Sequence, residues 1–425
     1  MQLKSRSRRA PRLAGNFARA DVTLLIGEAD MEMMIEAPLV QKSLEFAGVS
    51  APPPPLRVIH VTSAVVRGGI EYWFKGLIRF ADPRRLQFVR CVATATDPAL
   101  YDPGMAADFG VPVVQGQADA VRQAALECDV LLCSGPENIA SWLGDLRPKL
   151  CVFVAHGESH WTRDILEGCA PVADHVIAVS NRVREQVCQG FPSSVILNGV
   201  DAARVAQTRS PSLVRQQLGF AAGDFVVGYV GRFSPEKRPE RLIEAVALAP
   251  PHVKALLVGW GPLREQLLNL ANALIPGRYA FVTASDHLGD YLHALDAFCL
   301  SSSCEGFALV ALEAMLCGRP LIATPVGCVP EIIQDRVNGL IVSGTAASIT
   351  DSIRLLDDHP NWAAGLGAQG QAYAQQHGHA LRMAGEYEAL LERLWRERYP
   401  AEDLAPLQRA AGLWNDPGTD PDYDA

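Results

Sequence analysis

No run of about 18 apolar residues, the length a membrane-spanning helix needs, occurs anywhere in the 425 residues. Every long apolar stretch is broken by charge, glycine or proline, so the chain is expected to lie on a membrane at most, not to cross one. No C-x-x-C pair occurs among the ten cysteines, whose nearest spacing is five residues, at Cys128 to Cys133 and again at Cys299 to Cys304, and a zinc ribbon or thioredoxin-like site has no support. Most of them stand inside apolar runs such as Cys151-Val152-Phe153-Val154 and read as buried free thiols in a reducing compartment. Positive charge is not in excess: 38 Lys and Arg face 47 Asp and Glu, a net charge of -9, which excludes nucleic-acid binding spread over the whole surface. The dinucleotide fingerprint G-x-G-x-x-G is missing at Gly68-Gly69, where the first strand-loop-helix unit would carry it, and this counts against NAD and FAD. Asp-x-Asp occurs only near the C-terminus, at Asp420-Pro421-Asp422 and the overlapping Asp422-Tyr423-Asp424. His156 and His160 are four apart but have Gly157 between them and no evident third ligand, so no metal is expected. Lys4, Arg6, Arg8, Arg9, Arg12 and Arg19 look like the start of a signal peptide, yet the apolar segment after them, Val22 to Ile26, is too short for one. A cytoplasmic location is expected.

What the chain does have is apolar material, 49% of its residues against 20% charged, enough for sizeable cores. At about 150 residues per domain its length predicts two or three folded units. Residues 1–55 mix basic charge with Met and Ala and end in Ala51-Pro52-Pro53-Pro54-Pro55; they read as a flexible extension and linker. From Leu56 short apolar strands alternate with helical stretches: Arg57–Val61, Phe88–Ala93, Val130–Cys133, Leu150–Ala155, Val176–Val179 and Val195–Leu197. A second series follows at Phe225–Val230, Lys254–Val258, Ala280–Thr283, Ala297–Leu300, Leu321–Ala323 and Leu340–Val342. Helices are expected at Ile70–Phe80, Pro239–Leu248, Leu263–Leu274, Ala308–Leu316, Ala347–Leu355 and Leu381–Trp395. The pattern predicts an α/β protein of two doubly wound, Rossmann-like domains, 56–202 and 203–375, facing one another across a cleft. A helix over 376–398 is placed after them, packing back on the first domain, and an acidic, poorly ordered tail over 399–425.

The strongest local signal is Ser301-Ser302-Ser303-Cys304-Glu305-Gly306-Phe307-Ala308-Leu309, which leaves a strand and opens a helix carrying Glu313. Gly306 admits a close ligand, and the helix start offers unpaired N–H groups to a diphosphate. Glu313, about 7.5 Å further along the helix, is at the offset of a ribose, and Glu305 faces whatever the phosphate carries. Arg232 and Lys237, in Gly231-Arg232-Phe233-Ser234-Pro235-Glu236-Lys237, again follow a strand and place two positive charges for a leaving diphosphate. The turn Gly259-Trp260-Gly261-Pro262 is weak by itself. Gly68-Gly69 leaves open backbone beside a ligand, and His156 ends a strand where it can donate to a hydroxyl or phosphate.

With Asn198-Gly199-Val200-Asp201 and Pro325-Val326-Gly327-Cys328-Val329-Pro330-Glu331, these segments resemble the motifs of the retaining GT-B glycosyltransferases of the family-four type, also called glycosyltransferase group 1. The resemblance covers most of residues 57 to 395. It implies the GT-B fold and transfer of a sugar from a UDP- or GDP-sugar, without a metal and with retention of configuration. The acceptor it implies is a glycan, a lipid-linked sugar or a small molecule, in pathways such as polysaccharide biosynthesis. By position, Arg232 and Lys237 match the residues gripping the donor diphosphate, Glu313 the ribose carboxylate and Glu305 the carboxylate against the sugar hydroxyls. Gly306, Phe307, Ala308 and Leu309 match the donor loop, Gly69 the loop near the donor and His156 the cleft histidine. Arg238 departs from a frequent Gly, Ala308 from a second Gly, and Thr283-Ala284-Ser285 from the usual apolar residue and Gly near the base.

Two rival readings share the cleft: a nucleotide-sugar isomerase or epimerase, which needs acid and base groups at the sugar ring, and a non-catalytic nucleotide-sugar-binding protein. Peripheral contact with the inner face of a membrane rests on Arg79, Arg84, Arg85 and Arg90 around the end of a helix with Tyr72, Trp73 and Phe74. A solvated edge over core aromatics explains the same residues.

Overall fold

The computed structural model describes residues 53–136, 138–283 and 287–400. The expected flexible extension, the tail beyond 400 with its Asp420-Pro421-Asp422, and most of the Thr283-Ala284-Ser285 segment lie outside those residues. From Pro55 onward the chain forms one unit.

Two parallel sheets organise it. The first has seven strands: β1 (Leu56–Thr62), β2 (Leu86–Ala93), β3 (Val113–Gln115), β4 (Val130–Ser134), β5 (Leu150–Ala155), β6 (His175–Ala178) and β7 (Ser193–Val195), in the order β3-β2-β1-β4-β5-β6-β7. The second has six: β8 (Phe225–Arg232), β9 (Val253–Trp260), β10 (Tyr279–Val282), β11 (Ala297–Leu300), β12 (Leu321–Ala323) and β13 (Leu340–Ile341), in the order β10-β9-β8-β11-β12-β13. Strands such as β4, β5 and β11 are buried along their whole length, as near-continuous apolar runs in a parallel sheet must be. Helices connect the strands, and the fold class is the expected α/β arrangement.

The differences from the sequence reading are at the edges. β3 is three residues, one half-buried and two exposed, too short to show a period, and β7 begins two residues before the expected Val195. The helix Pro360–His377 is additional. Four expected arginines of the basic cluster are each paired within the chain: Arg79 with Asp201, Arg84 with Asp82, Arg85 with Glu388 and Glu392, and Arg90 with Glu127. Trp73 and Phe74 are core, so the aromatic helix Gly69–Phe80 buries these two rings instead of presenting them. All ten cysteines are free and nine are buried, Cys304 being half-buried. Among the described residues no helix is long and apolar enough to cross a membrane.

Both sheets have a topological switch point, between β1 and β4 and between β8 and β11, where the strand order reverses and the loops leaving the carboxyl ends diverge. The final helix, Ala380–Arg398, returns to the first sheet's side and packs against the helix Gly69–Phe80; Glu388 accepts a hydrogen bond from the Asp82 amide at 2.7 Å.

Candidate active site

The loops leaving β8 and β11 meet at the second sheet's switch point. Ser303 donates its amide to the Glu236 carbonyl at 2.8 Å, Ser301 Oγ donates to the Arg238 carbonyl at 2.8 Å, and Arg241 donates to the Ser301 carbonyl at 2.8 Å. Arg238 adopts the left-handed backbone at φ 52 within this tight join. The result brings Lys237 Nζ to 2.6 Å from Glu305 Oε2, while Ser302 Oγ donates to Glu305 Oε1 at 2.7 Å. Glu305 is 7% exposed, so both donors act on a desolvated carboxylate.

The next residue brings the two sheets' loops together backbone to backbone. Gly306 lies against the backbone of His156 and Gly157, and any Cβ there would overlap the His156 carbonyl. Gly327, at φ +50, presses on the same loop from the β12 side. The Glu305 amide donates to Glu158 Oε1 at 3.3 Å, and Glu158 is ion-paired with Arg182 at 2.5 Å. Glu331 accepts from the Asn181 amide at 2.8 Å and from Asn181 Nδ2 at 2.7 Å, and Arg182 donates to the Pro325 carbonyl at 3.0 Å. Loops at the carboxyl ends of both sheets therefore meet, with the Lys237–Glu305 pair beside their contact.

His156 contributes a buried Nε2 that has no hydrogen-bond partner among the described residues, its ring set edge-on to Trp73 at 4.7 Å. Burial pushes this imidazole down to about 3, so it is neutral at physiological pH. His60 behind it is held by Ser134 Oγ at 2.8 Å and is likewise pushed down to about 3, by burial first and then by His156.

Of the residues expected at the site, the fold gathers Lys237, Glu305, Gly306 and His156. Phe307 is half-buried, Ala308 and Leu309 are buried, and Leu309 begins the helix Leu309–Leu316. The amides of Gly306 and Phe307 donate to no group of the described residues, which leaves them free to meet an anion together with the helix start. Gly69, exposed at the head of its own helix, faces Leu309. Arg232 is exposed and lies over the Trp260 ring, 5.5 Å from its centroid, apart from the Lys237 pair. Glu313 is 2% exposed and its Oε1 accepts from Arg204 Nε at 2.5 Å. Arg204, Glu158, Arg182 and Glu331 were not singled out from the sequence as cleft residues. Arg204 follows the Asn198–Asp201 motif by three positions, but its partner is 109 residues away and no local period marks it.

Electrostatically, one cation, two free amides and a helix N-terminus lie along one stretch of loop beside a buried carboxylate whose oxygens each accept one hydrogen bond and keep a further lone pair. That suits a phosphorylated sugar. Residues 212–372 match the family described as glycosyl transferases group 1. The N-acetyl-alpha-D-glucosaminyl L-malate synthase of Bacillus anthracis is 30% identical over 230 residues, 51% of this chain and 59% of that protein. The lipopolysaccharide core biosynthesis mannosyltransferase LpsB of Rhizobium meliloti (strain 1021) is 30% identical over 238 residues, 51% of this chain and 66% of that one. With a D-inositol 3-phosphate glycosyltransferase of Rhodococcus jostii (strain RHA1), the chain spans between 58% and 66% of the length of these curated relatives. Among solved structures, Anabaena HepE in complex with UDP-glucose matches with a TM-score of 0.71 at 24% identity, over 80% of this chain and 100% of that one. Sucrose-phosphate synthase from Thermosynechococcus elongatus matches with a TM-score of 0.64 at 20% identity, over the same shares. These structural likenesses carry the fold, two facing doubly wound sheets of the GT-B kind. It is over residues 212–372, the stretch that carries Lys237, Glu305 and Glu313, that the chain is similar to the glycosyl transferases of group 1.

Proposed function

We propose that the chain is a glycosyltransferase that moves a sugar from a nucleoside diphosphate-sugar, UDP- or GDP-linked, to a hydroxyl acceptor, with retention of configuration and without a metal. The observation that carries this reading is the 2.6 Å Lys237–Glu305 pair at the switch point, beside the free amides of Gly306 and Phe307. In the reaction the bond from the sugar's anomeric carbon to the β-phosphate oxygen breaks and a bond to the acceptor oxygen forms on the same face. The acceptor's proton leaves with the diphosphate. Negative charge grows on the departing diphosphate, where Lys237, Arg232 and the helix start at Ala308 and Leu309 stabilise it. Glu305 holds the sugar hydroxyls, Glu313 the ribose, Gly69 lines the donor, and the neutral His156 donates to a sugar hydroxyl. Support also comes from the curated relatives, one named as an N-acetyl-alpha-D-glucosaminyl L-malate synthase and the other as a lipopolysaccharide core biosynthesis mannosyltransferase. The acceptor belongs to the first sheet's side, and action at the cytoplasmic face of a membrane fits a lipid-linked one.

The test is product analysis with UDP-glucose, UDP-N-acetylglucosamine and GDP-mannose, with and without acceptor mixtures. A new glycosidic bond and free nucleoside diphosphate support the reading. An isomerised nucleotide sugar, or binding of all three without turnover, overturns it.

A further inference from the structure

The helix Leu309–Leu316 reads Leu-Val-Ala-Leu-Glu-Ala-Met-Leu, apolar on every side except at Glu313. A carboxylate 2% exposed in such a helix needs a countercharge. Arg204 supplies it from the short turn Ala202–Val205, its Nε 2.5 Å from Glu313 Oε1. The guanidinium is itself fixed: it lies on the Tyr72 ring, 3.2 Å from the centroid, and Tyr72 belongs to the helix that Gly69 begins. Three elements distant in sequence thus converge on one carboxylate. Burial lowers the Arg204 guanidinium, but the Glu313 charge and Tyr72 outweigh this and hold it above its ordinary value.

We propose that Arg204 is a positioning residue that fixes the orientation of Glu313 for the donor's ribose hydroxyls, making the chain selective for ribonucleoside over 2′-deoxyribonucleoside diphosphates. This rests on the reading that Glu313 meets the donor ribose. With Oε1 taken by Nε, Oε2 is the atom left for a hydroxyl, and the Tyr72 stack keeps the guanidinium from turning aside. A vicinal diol meets a carboxylate held at one angle, whereas a freely rotating one discriminates poorly. A site built to bond a hydroxyl rejects the analogue that lacks it, because the buried acceptor is left unpaired. Lysine cannot replace arginine here, since its ammonium has neither the planar face nor a directed Nε.

The experiment measures dissociation constants of the full chain by calorimetry for UDP, 2′-deoxy-UDP, GDP and 2′-deoxy-GDP. The proteins are wild type, Arg204→Ala, Arg204→Lys, Glu313→Gln and the Arg204→Ala/Glu313→Gln double variant. For whichever base binds, wild type is expected to favour the ribose form by at least about tenfold. Arg204→Ala and Arg204→Lys should reduce that preference to about threefold or less, by weakening the ribose form alone. In the double variant, Arg204→Ala should add no further loss to Glu313→Gln, since it acts through that residue. The lysine and double variants retain or remove both charges, so the test survives if the alanine variant does not fold. Full preference in Arg204→Lys, or losses that multiply in the double variant, overturns the proposal. Equal binding of ribose and deoxyribose forms by wild type overturns it too. Binding of none of the four by wild type overturns instead the donor reading beneath it.

Discussion

Gly306 rests against the carbonyl of His156 so closely that no side-chain carbon fits between them. The contact joins the loop bearing Glu305 to the strand end of the opposite sheet, backbone to backbone, so neither side can yield by rotating a side chain. Gly306→Ala should therefore push the loop away from β5. Stability should fall by about 1–3 kcal/mol, as for other overpacked sites, and turnover by roughly 10²-fold, because a displacement near 1 Å misaligns the reacting groups. Turnover close to wild type would show that this approach does not order the site.

The Lys237–Glu305 pair gives a second prediction. Lys237→Ala removes the ammonium from a carboxylate that is 7% exposed, and Glu305→Ala removes the group expected at the sugar hydroxyls. Each should lower turnover by at least about 10²-fold with the fold intact, since each loses a contact that matters most in the transition state. Lys237→Ala/Glu305→Gln should melt higher than Lys237→Ala alone, because the uncompensated charge is gone. Wild-type turnover in either single variant removes that residue's role.

Much of this site was legible in the sequence, and the part that was not has physical reasons. Lys237 and Glu305 each follow an apolar strand and precede a helix, and that local pattern places both at carboxyl strand ends before any pairing is known. Arg238 carries its own lesson: it stands in the left-handed backbone at φ 52, a conformation that a glycine would have announced in the sequence and an arginine does not. The helix Pro360–His377 escaped because Gly365, Gly367 and Gly370 look like breakers. Gly367 is there for packing, with a Cβ excluded by the Gly318 carbonyl. Arg204, Glu158 and Glu331 answer partners 109 to 150 residues away, a relationship no window of sequence contains.

Acid should loosen the fold, and the sign follows from the buried imidazoles. His60 and His156 drop from 6.5 to about 3 on folding through burial, and His175 and His293 move down as well. Between about 3 and 6.5 the unfolded chain therefore binds more protons than the folded one, so the stability present above 6.5 is lost as pH falls. Glu71 opposes this, since burial raises it to about 7 and the folded chain binds its proton more tightly between 4.5 and 7. The histidines outnumber it. The thermal midpoint should fall from pH 6.5 toward 4.5, and less steeply in His60→Asn. A midpoint that rises on acidification would contradict the burial of these rings.

Glu331 caps the helix Asn181–Val187 from the opposite sheet through its bonds to Asn181. Glu331→Ala should cost about 1 kcal/mol, a thermal midpoint lower by a few degrees. Glu331→Gln should recover part of the loss by keeping one acceptor oxygen. An unchanged midpoint in the alanine variant would mean that the two sheets' loops are held without it.

The most direct test of the account is the thermal midpoint of the full chain with saturating UDP, GDP, ADP and dTDP in turn, for wild type and Lys237→Ala. A ligand at a hundred times its dissociation constant stabilises by about 2.7 kcal/mol, a shift of several degrees. The account predicts that shift with UDP or GDP in wild type and its loss in Lys237→Ala. No shift with any of the four, or an undiminished shift in the variant, would contradict a donor site built on the Lys237–Glu305 pair.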